Sequence, residues 1–500
     1  MRRSHLLRFG RLLRRAGLAV ALALLVLVGV LLVRTFALTS RQGPAPPAVR
    51  LPVIDAEAID RLAGAIRFPT ISPQDPAASD AEAFGHLHDY LRRSFPETFQ
   101  RLSPEVVAGH SLLFTWWGTD TALAPIVLLA HLDVVPVAAD LEERWTHPPF
   151  SGAIADGYVW GRGTLDDKVA VVGILEAVER LLKQGFQPRR TVLLAFGHDE
   201  EIGGRRGARA LAALLRKRKI RPLCVLDEGS AIGQGLIPGL AAPVALVGIA
   251  EKGYLTVELS TEAAGGHSSM PPAQTAVGII AAAVARLEQN PMPGSLDGVV
   301  GQTFAHLGPE MPFGLRMVFA NLWLFGGLVE RQLAARPATN AALRTTMAAT
   351  LIEGGLKENI LPTRARAVLN FRIRPGDRIA TVLDHVRRTV ADPRVAIRPL
   401  DRTLATEPSR VSSTKSESYE LLRRTIRQVF PGALVAPSLA IAATDSAHYL
   451  DLGGDTYRFL PIVATADDLA RIHGANERIG IEVYKNCVRF YIQWIRNAAS

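Results

Sequence analysis

Only two cysteines, Cys224 and Cys487, occur in 500 residues. Two are too few for a disulfide framework, and so distant a pair lacks the spacing of a thiolate metal site. Aromatic residues are scarce at 6%, and charged residues make up 21% against 48% hydrophobic ones. That balance excludes a largely disordered chain, and the length exceeds one small domain. Acidic residues are missing altogether from the first 50 positions, which hold nine arginines: Arg2, Arg3, Arg8, Arg11, Arg14, Arg15, Arg34, Arg41 and Arg50. The formal charge of +10 is therefore local. Of the 57 Lys and Arg, the 48 beyond residue 50 face 47 Asp and Glu, so the remaining 450 residues are close to neutral. A nearly neutral body gives no electrostatic footprint for nucleic acid.

What the amino terminus does contain is an uninterrupted apolar stretch, Ala16 to Val33. At 1.5 Å per residue, eighteen residues reach about 27 Å, close to a bilayer core of about 30 Å and within the length range of spanning helices. Six arginines precede the stretch, which places the amino terminus in the cytoplasm and the body outside. Residues 1–15 thus read as a cytoplasmic basic segment, 16–33 as a single-pass transmembrane anchor and 34–53 as a Pro-rich stalk carrying Pro44, Pro46, Pro47 and Pro52. A cleaved secretory signal is the alternative, although Thr35-Phe36-Ala37 is a poor cleavage pattern.

Three short apolar runs follow, Ile126–Ala130, Val192–Phe196 and Leu223–Leu226. Runs of this length bounded by turn residues suit strands buried on both faces. A helical pattern over Val169–Lys183 lies between them, so strand and helix alternate. The expected fold is α/β: a catalytic domain with a mainly parallel central sheet flanked by helices, formed by residues 54–252 and 405–500. Strand-like pieces at Leu255–Ser260 and Ala365–Ile373 among helices place an inserted α+β domain at 253–404. The apolar segment Pro312–Leu328 is too short to span a bilayer and reads as a core or lid helix. A sharper reading makes its aromatics part of a greasy channel.

The polar chemistry falls at the ends of those strands. His131 and Asp133 follow the first, Asp199, Glu200 and Glu201 the second, and Asp227 with Glu228 the third. In open α/β sheets ligands gather outside the carboxyl ends of strands. So many carboxylates close together need a cation, and no basic cluster accompanies them, which points to a divalent metal. Each residue alone is an ordinary polar loop residue; the constellation is what argues for a site.

Five runs then carry a specific resemblance. His131-Leu132-Asp133, Gly161-Arg162-Gly163-Thr164-Leu165-Asp166-Asp167-Lys168, Asp199-Glu200-Glu201-Ile202-Gly203-Gly204, Gly265-Gly266-His267-Ser268-Ser269 and Ile472-His473-Gly474-Ala475-Asn476-Glu477 occur in this order. Together they resemble the di-zinc peptidase and deacylase family of aminoacylase-1, carboxypeptidase G and yeast carboxypeptidase S, closest to its carboxypeptidase S and N-acyl-amino-acid hydrolase branch. The resemblance implies two zinc ions bridged by Asp166, with Glu201 and His473 completing one site and His131 and Asp227 the other; Asp227 is preferred to Glu228 on motif position. It implies Glu200 as general base, Asp133 as the group that orients His131, and Asp167 as structural. It also implies a lid and dimerisation role for the inserted domain, with His267 stabilising the oxyanion across a domain or subunit boundary in a homodimer. Asn359 becomes a second polar contact and Arg372 the receptor of a substrate carboxylate. Thr444, Asp445, Ser446 and His448 are further candidates for the pocket wall.

The expected activity is zinc-dependent hydrolysis of the amide next to a C-terminal amino acid, in a short peptide or an N-acyl amino acid. A deacylase of another small N-acyl substrate is the nearer alternative. An inactive extracytoplasmic binding module is the alternative from another class, and its signature would be degenerate ligands, whereas every expected position here is filled.

Overall fold

The computed structural model describes residues 2–73, 81–400 and 405–500, with side chains from residue 12 onward. The expected boundary at 404 therefore lies outside the described residues. Helix α1 (Arg2–Ala37) leads into six strands of the large sheet: β1 (Glu105–Val107), β2 (Ser111–Trp116), β3 (Ile126–His131), β4 (Val192–Gly197), β5 (Cys224–Gly233) and β6 (Val244–Glu251). Helices α2 (Lys168–Lys183) and α3 (Ala208–Lys217) alternate with them. A second sheet and its helices follow: β7 (Gly253–Glu262), α4 (Ala276–Gln289), α5 (Phe313–Ala320), α6 (Leu322–Ala334), β8 (Thr346–Gly354), β9 (Arg364–Ile373), α7 (Ile379–Val390) and β10 (Ala396–Pro399). The chain returns to the large sheet with β11 (Leu434–Ala440) and β12 (Asp455–Ala464) and closes with α8 (Ile481–Ala498).

The large sheet has the order β1-β2-β4-β3-β5-β12-β6-β11. Its centre, β4-β3-β5-β12, is parallel, while β1 and β2 pair antiparallel and β12 meets β6 antiparallel. The sheet is thus mixed: β11 also pairs parallel with β6 at one edge, and the parallel centre holds the strands that carry the site.

The apolar runs follow from burial on both faces. Ile126, Leu128 and Ala130 of β3 join the core that contains α2 and α8, whereas Val127 and Leu129 join the core beneath α3. The same two-residue period divides Val192, Leu194 and Phe196 from Leu193 and Ala195. Neither face of these strands meets water, so no polar position interrupts them until the strand end. Truncating a fully buried residue such as Leu128 to Ala would cost about 2–5 kcal/mol.

The second sheet, β8-β9-β7-β10, is antiparallel and packs α4 and α7 through its own core of Leu255, Val257, Leu259, Ile280, Val382 and Val386. Two expectations change. The Pro-rich segment is docked along the body rather than standing off as a stalk: buried Gln42 donates to His306 O and Val435 O and accepts from Val435 N, while Arg427 donates to Gln42 O and Pro44 O. Pro312–Leu328 is not a core helix, because it breaks at Asn321 into α5 and α6 with Phe313, Trp323 and Leu328 exposed.

Candidate active site

Strand β3 delivers His131 to the carboxyl edge of the sheet, buried to 1% exposure. Its Nδ1 lies 3.0 Å from Asp133 O and 3.4 Å from Asp133 Oδ1, and its Nε2 lies 2.9 Å from Asp166 Oδ1. The contact to a carbonyl and carboxylate on Nδ1 leaves Nε2 for the cluster. Asp133 does more than orient this ring. Its two carboxylate oxygens accept the backbone N–H groups of Glu200 (3.1 Å) and Glu201 (3.2 Å), so one buried side chain fixes the strand end and the turn after β4 together.

A second trio shares Asp166. Its Oδ2 lies 3.0 Å from His473 Nε2, which lies 3.3 Å from Glu201 Oε1. His473 occupies the left-handed region at φ 61° on a loop tied down by Glu477. Buried Glu477 accepts from Gly163 N at 2.9 Å and Leu165 N at 2.8 Å and pairs with Arg162. The loop that presents Asp166 is thereby clamped to the loop that presents His473, across some three hundred residues of chain. Nothing in the motif pattern assigned this work to Glu477, although an acid four residues after a metal-type histidine was the available signal.

The partner of His131 and Asp166 in the first trio is Glu228, not the expected Asp227. Glu228 Oε1 lies 3.5 Å from His131 Nε2, and the three side chains bring ligand-type atoms within 4.8 Å of one another. Asp227 turns the other way, accepting from Ser446 N at 2.7 Å and Glu228 N at 3.0 Å. The cause lies in β5, which runs through both acids to Gly233 instead of ending at Leu226. Its register against β12 jumps from Asp227↔Arg458 to Ser230↔Phe459, so Glu228 and Gly229 form a bulge. Gly229 adopts φ 134°, and a Cβ there would lie 3.0 Å from Arg458 Cβ. Neighbouring side chains in a strand point to opposite faces, so only one of the two acids reaches the cluster.

The carboxylates strain against each other. Burial, and then neighbouring Asp166, push Glu228 up to about 8. Burial raises Asp167 and Glu200 well above the ordinary range, with Glu228 adding to both. Asp166 moves the other way: burial opposes its charge, but the hydrogen bonds from His131 and His473 hold it below the usual carboxylate range. His473 is raised to about 10 by Asp166 and then Glu201. Glu201 Oε1 is buried without a well-directed hydrogen bond, and so is Asp167 Oδ1. Imidazole and carboxylate donors converging in two trios on a shared aspartate, with an orphaned carboxylate oxygen aimed among them, fit a pair of divalent cations.

Asp167 supports the site from behind, accepting His131 N at 3.3 Å, and Lys168 is buried as it donates to Ala65 O and Phe68 O. Thr444 and Ser446 are buried with Asp227 and Glu251, and His448 Nε2 faces Gly203 O at 3.0 Å; these residues brace the site from behind. The remaining three expected residues lie in the second-sheet region. His267 is exposed, with Ser269 N 3.1 Å from its Nδ1, and Ser268 N donates to Asn359 O, so His267 and Asn359 share one tip. Arg372 stacks over the Tyr254 ring at 4.9 Å. Among the described residues no hydrogen bond or ion pair joins these three to the trios.

Comparison with known proteins places this geometry. The profile of peptidase family M20/M25/M40 matches residues 127–497, a span that holds every residue of both trios. The chain belongs to this family. Its M20 relatives include the N-fatty-acyl-amino acid synthase/hydrolase PM20D1 of Xenopus tropicalis, 42% identical over 96% of this chain and 94% of that protein. The "Probable carboxypeptidase S-like 2" of Dictyostelium discoideum is 44% identical over 89% of this chain and 85% of its own length. The carboxypeptidase S and N-acyl-amino-acid hydrolase branch fits, and the protein is an M20 hydrolase. The M20 metallo-carboxypeptidase Sso-CP2 of Sulfolobus solfataricus shares the fold, with a TM-score of 0.64 at 19% identity over 89% of this chain and 99% of that one.

Proposed function

We propose that the protein is a zinc-dependent amide hydrolase that cuts the bond between an acyl or aminoacyl group and a C-terminal amino acid. The observation that carries this reading is the pair of trios sharing Asp166, with Glu200 set beside Glu201 in one turn held by Asp133. His131, Asp166 and Glu228 would hold one ion, and Asp166, Glu201 and His473 the other. Bound zinc supplies Lewis acidity toward water and the scissile carbonyl. Glu200 takes the proton of the attacking water on a carboxylate oxygen and hands it to the leaving nitrogen. Its burial among carboxylates raises its proton affinity, which suits a base that must also act as an acid. Arg372, with five fixed donors, receives the substrate carboxylate, and its seat over Tyr254 pre-orients the guanidinium. His267 and Asn359, adjacent on one tip, serve as polar contacts to the oxyanion; an exposed His267 suits delivery to the site of a second copy in a homodimer.

Relatives named for N-fatty-acyl amino acids and for carboxypeptidase S support both substrate classes. Helix α1, with an apolar stretch from Leu12 to Ala37, meets the length and composition of a membrane span or a signal sequence. We read it as an uncleaved anchor because Leu31 at its outer end and Gln42 just beyond it are built into the body, with the body on the outer side because six arginines precede the apolar stretch. The test is turnover of dipeptides and N-acyl amino acids by protein stripped with chelator and then resupplied with zinc. Activity should vanish and return on at least one panel, and Glu200→Gln should keep its zinc while losing turnover. Silence on both panels with zinc restored would sink the reading.

A further inference from the structure

Helices α5 and α6 form an elbow bent by 109° at Asn321. From Phe313 to Val329 its only charged residue is Arg316. The two most polar side chains of this stretch both face α1: Asn321, fully buried, donates to Leu31 O at 3.2 Å, and Arg316 donates to Leu38 O. Arg34 of α1 answers by donating to Ala320 O, and Phe36 lies 5.9 Å from the Phe313 ring. Trp323 satisfies its indole N–H on Asn321 Oδ1 while leaving its ring exposed. Phe313, Trp323, Leu324 and Leu328 are 44–57% exposed. The elbow is thus reversed relative to a water-facing helix pair, with polar groups inside and apolar ones outside.

The occupant of that apolar face follows from continuity with α1. Ala16 to Val33 rises about 27 Å, close to one hydrocarbon core of about 30 Å. The elbow grips Leu31, Arg34 and Thr35 of α1 and Leu38 just beyond it, at the outer end of that stretch. Its depth is therefore set at the outer boundary of the bilayer, where a tryptophan with an internally satisfied N–H and flanking leucines is at home. We infer that the α5–α6 elbow is a membrane-contacting element that inserts into the interface of the outer leaflet beside its own anchor and seats the body on the lipid surface. The inference rests on the anchor reading of α1.

The test uses the full chain in phosphatidylcholine–phosphatidylglycerol vesicles. Cys224 and Cys487 are buried, so a spin label attaches selectively to new surface cysteines. Labels replace Trp323, Leu324 or Leu328 in the elbow, Leu22 in α1, and Leu356, which is fully exposed on the second-sheet region. Collision with oxygen, which partitions into lipid, should exceed collision with a water-soluble nickel chelate at the elbow positions and at 22, and the order should reverse at 356. Elbow labels as open to the chelate as position 356, with position 22 shielded, would overturn the elbow proposal and leave the anchor standing. Elbow labels closed to both quenchers and broadened by spin–spin coupling would assign the face to a second copy of the chain and overturn it equally. A position 22 open to the chelate would remove the anchor and the elbow's lipid contact together.

Discussion

Asp133 is the residue whose replacement best separates positioning from metal binding. Its carboxylate accepts from Glu200 N and Glu201 N, while His131 Nδ1 also has the backbone oxygen of Asp133 at 3.0 Å, which a side-chain change leaves in place. In Asp133→Asn the amide oxygen can still accept one of the two N–H groups, but the NH2 must face the other. One charge-assisted hydrogen bond is lost, worth about 1.5–3 kcal/mol. At about 1.4 kcal/mol per decade this is a fall of about ten- to a hundredfold if the turn carrying Glu200 relaxes in the transition state. The loss should appear in kcat with KM little changed, because Glu200 works on the proton and not on binding. Zinc content by mass spectrometry should stay at the wild-type value. A kcat within about twofold of wild type would refute the argument that this carboxylate sets the turn. So would loss of zinc in step with activity, since the carboxylate would then be acting on His131.

Two further outcomes follow from the site. Glu228→Gln should lose about half of the bound metal, while Asp227→Asn should keep it and instead lower the melting temperature by weakening the turn at Ser446; the opposite pattern would restore Asp227 as the ligand. The contributions of Glu228 and His473 to the stability of the chelated protein should fall as pH rises. Glu228 is raised from 4.5 to about 8, mainly by burial, and His473 from 6.5 to about 10, mainly by Asp166. For both, the folded state holds its proton more tightly, so the stabilisation is complete below the lower value and disappears as pH rises through the upper one. Relative to Glu228→Gln, which does not titrate, metal-free wild-type protein should lose stability in thermal melts between about pH 5 and about pH 8, and zinc should flatten that loss by displacing the proton; a wild type that gains on the variant over this range would contradict it.

Much of the site could be read directly. His131, Asp133, Glu200, Glu201, Asp166 and His473 sit in local motifs whose spacing is short, and the wholly apolar runs before them announce strands buried on both faces. Three features resisted. Glu477 acts across the chain, pairing with the Gly163–Leu165 backbone, and its partners are invisible to any local pattern. The Pro-rich segment looks like a free stalk because proline content says nothing about docking, yet Gln42 finds a buried slot between His306 and Val435. The run Pro312–Leu328 has the composition of a core helix, and composition cannot foresee the break at Asn321 that leaves Phe313, Trp323 and Leu328 exposed.

By itself the sequence determined which chemical groups gather at the site, because imidazoles and carboxylates placed at the ends of apolar strands meet at one sheet edge. The tertiary structure alone decided which of two adjacent acids faces His131 and Asp166. Asp227 and Glu228 differ by one position in a strand whose side chains alternate between faces, and a bulge at Gly229 against Arg458 turns Glu228 toward His131 and Asp227 toward Ser446. The pairing of β5 with β12, made more than two hundred residues away, sets that bulge, so no reading of the local sequence contains it.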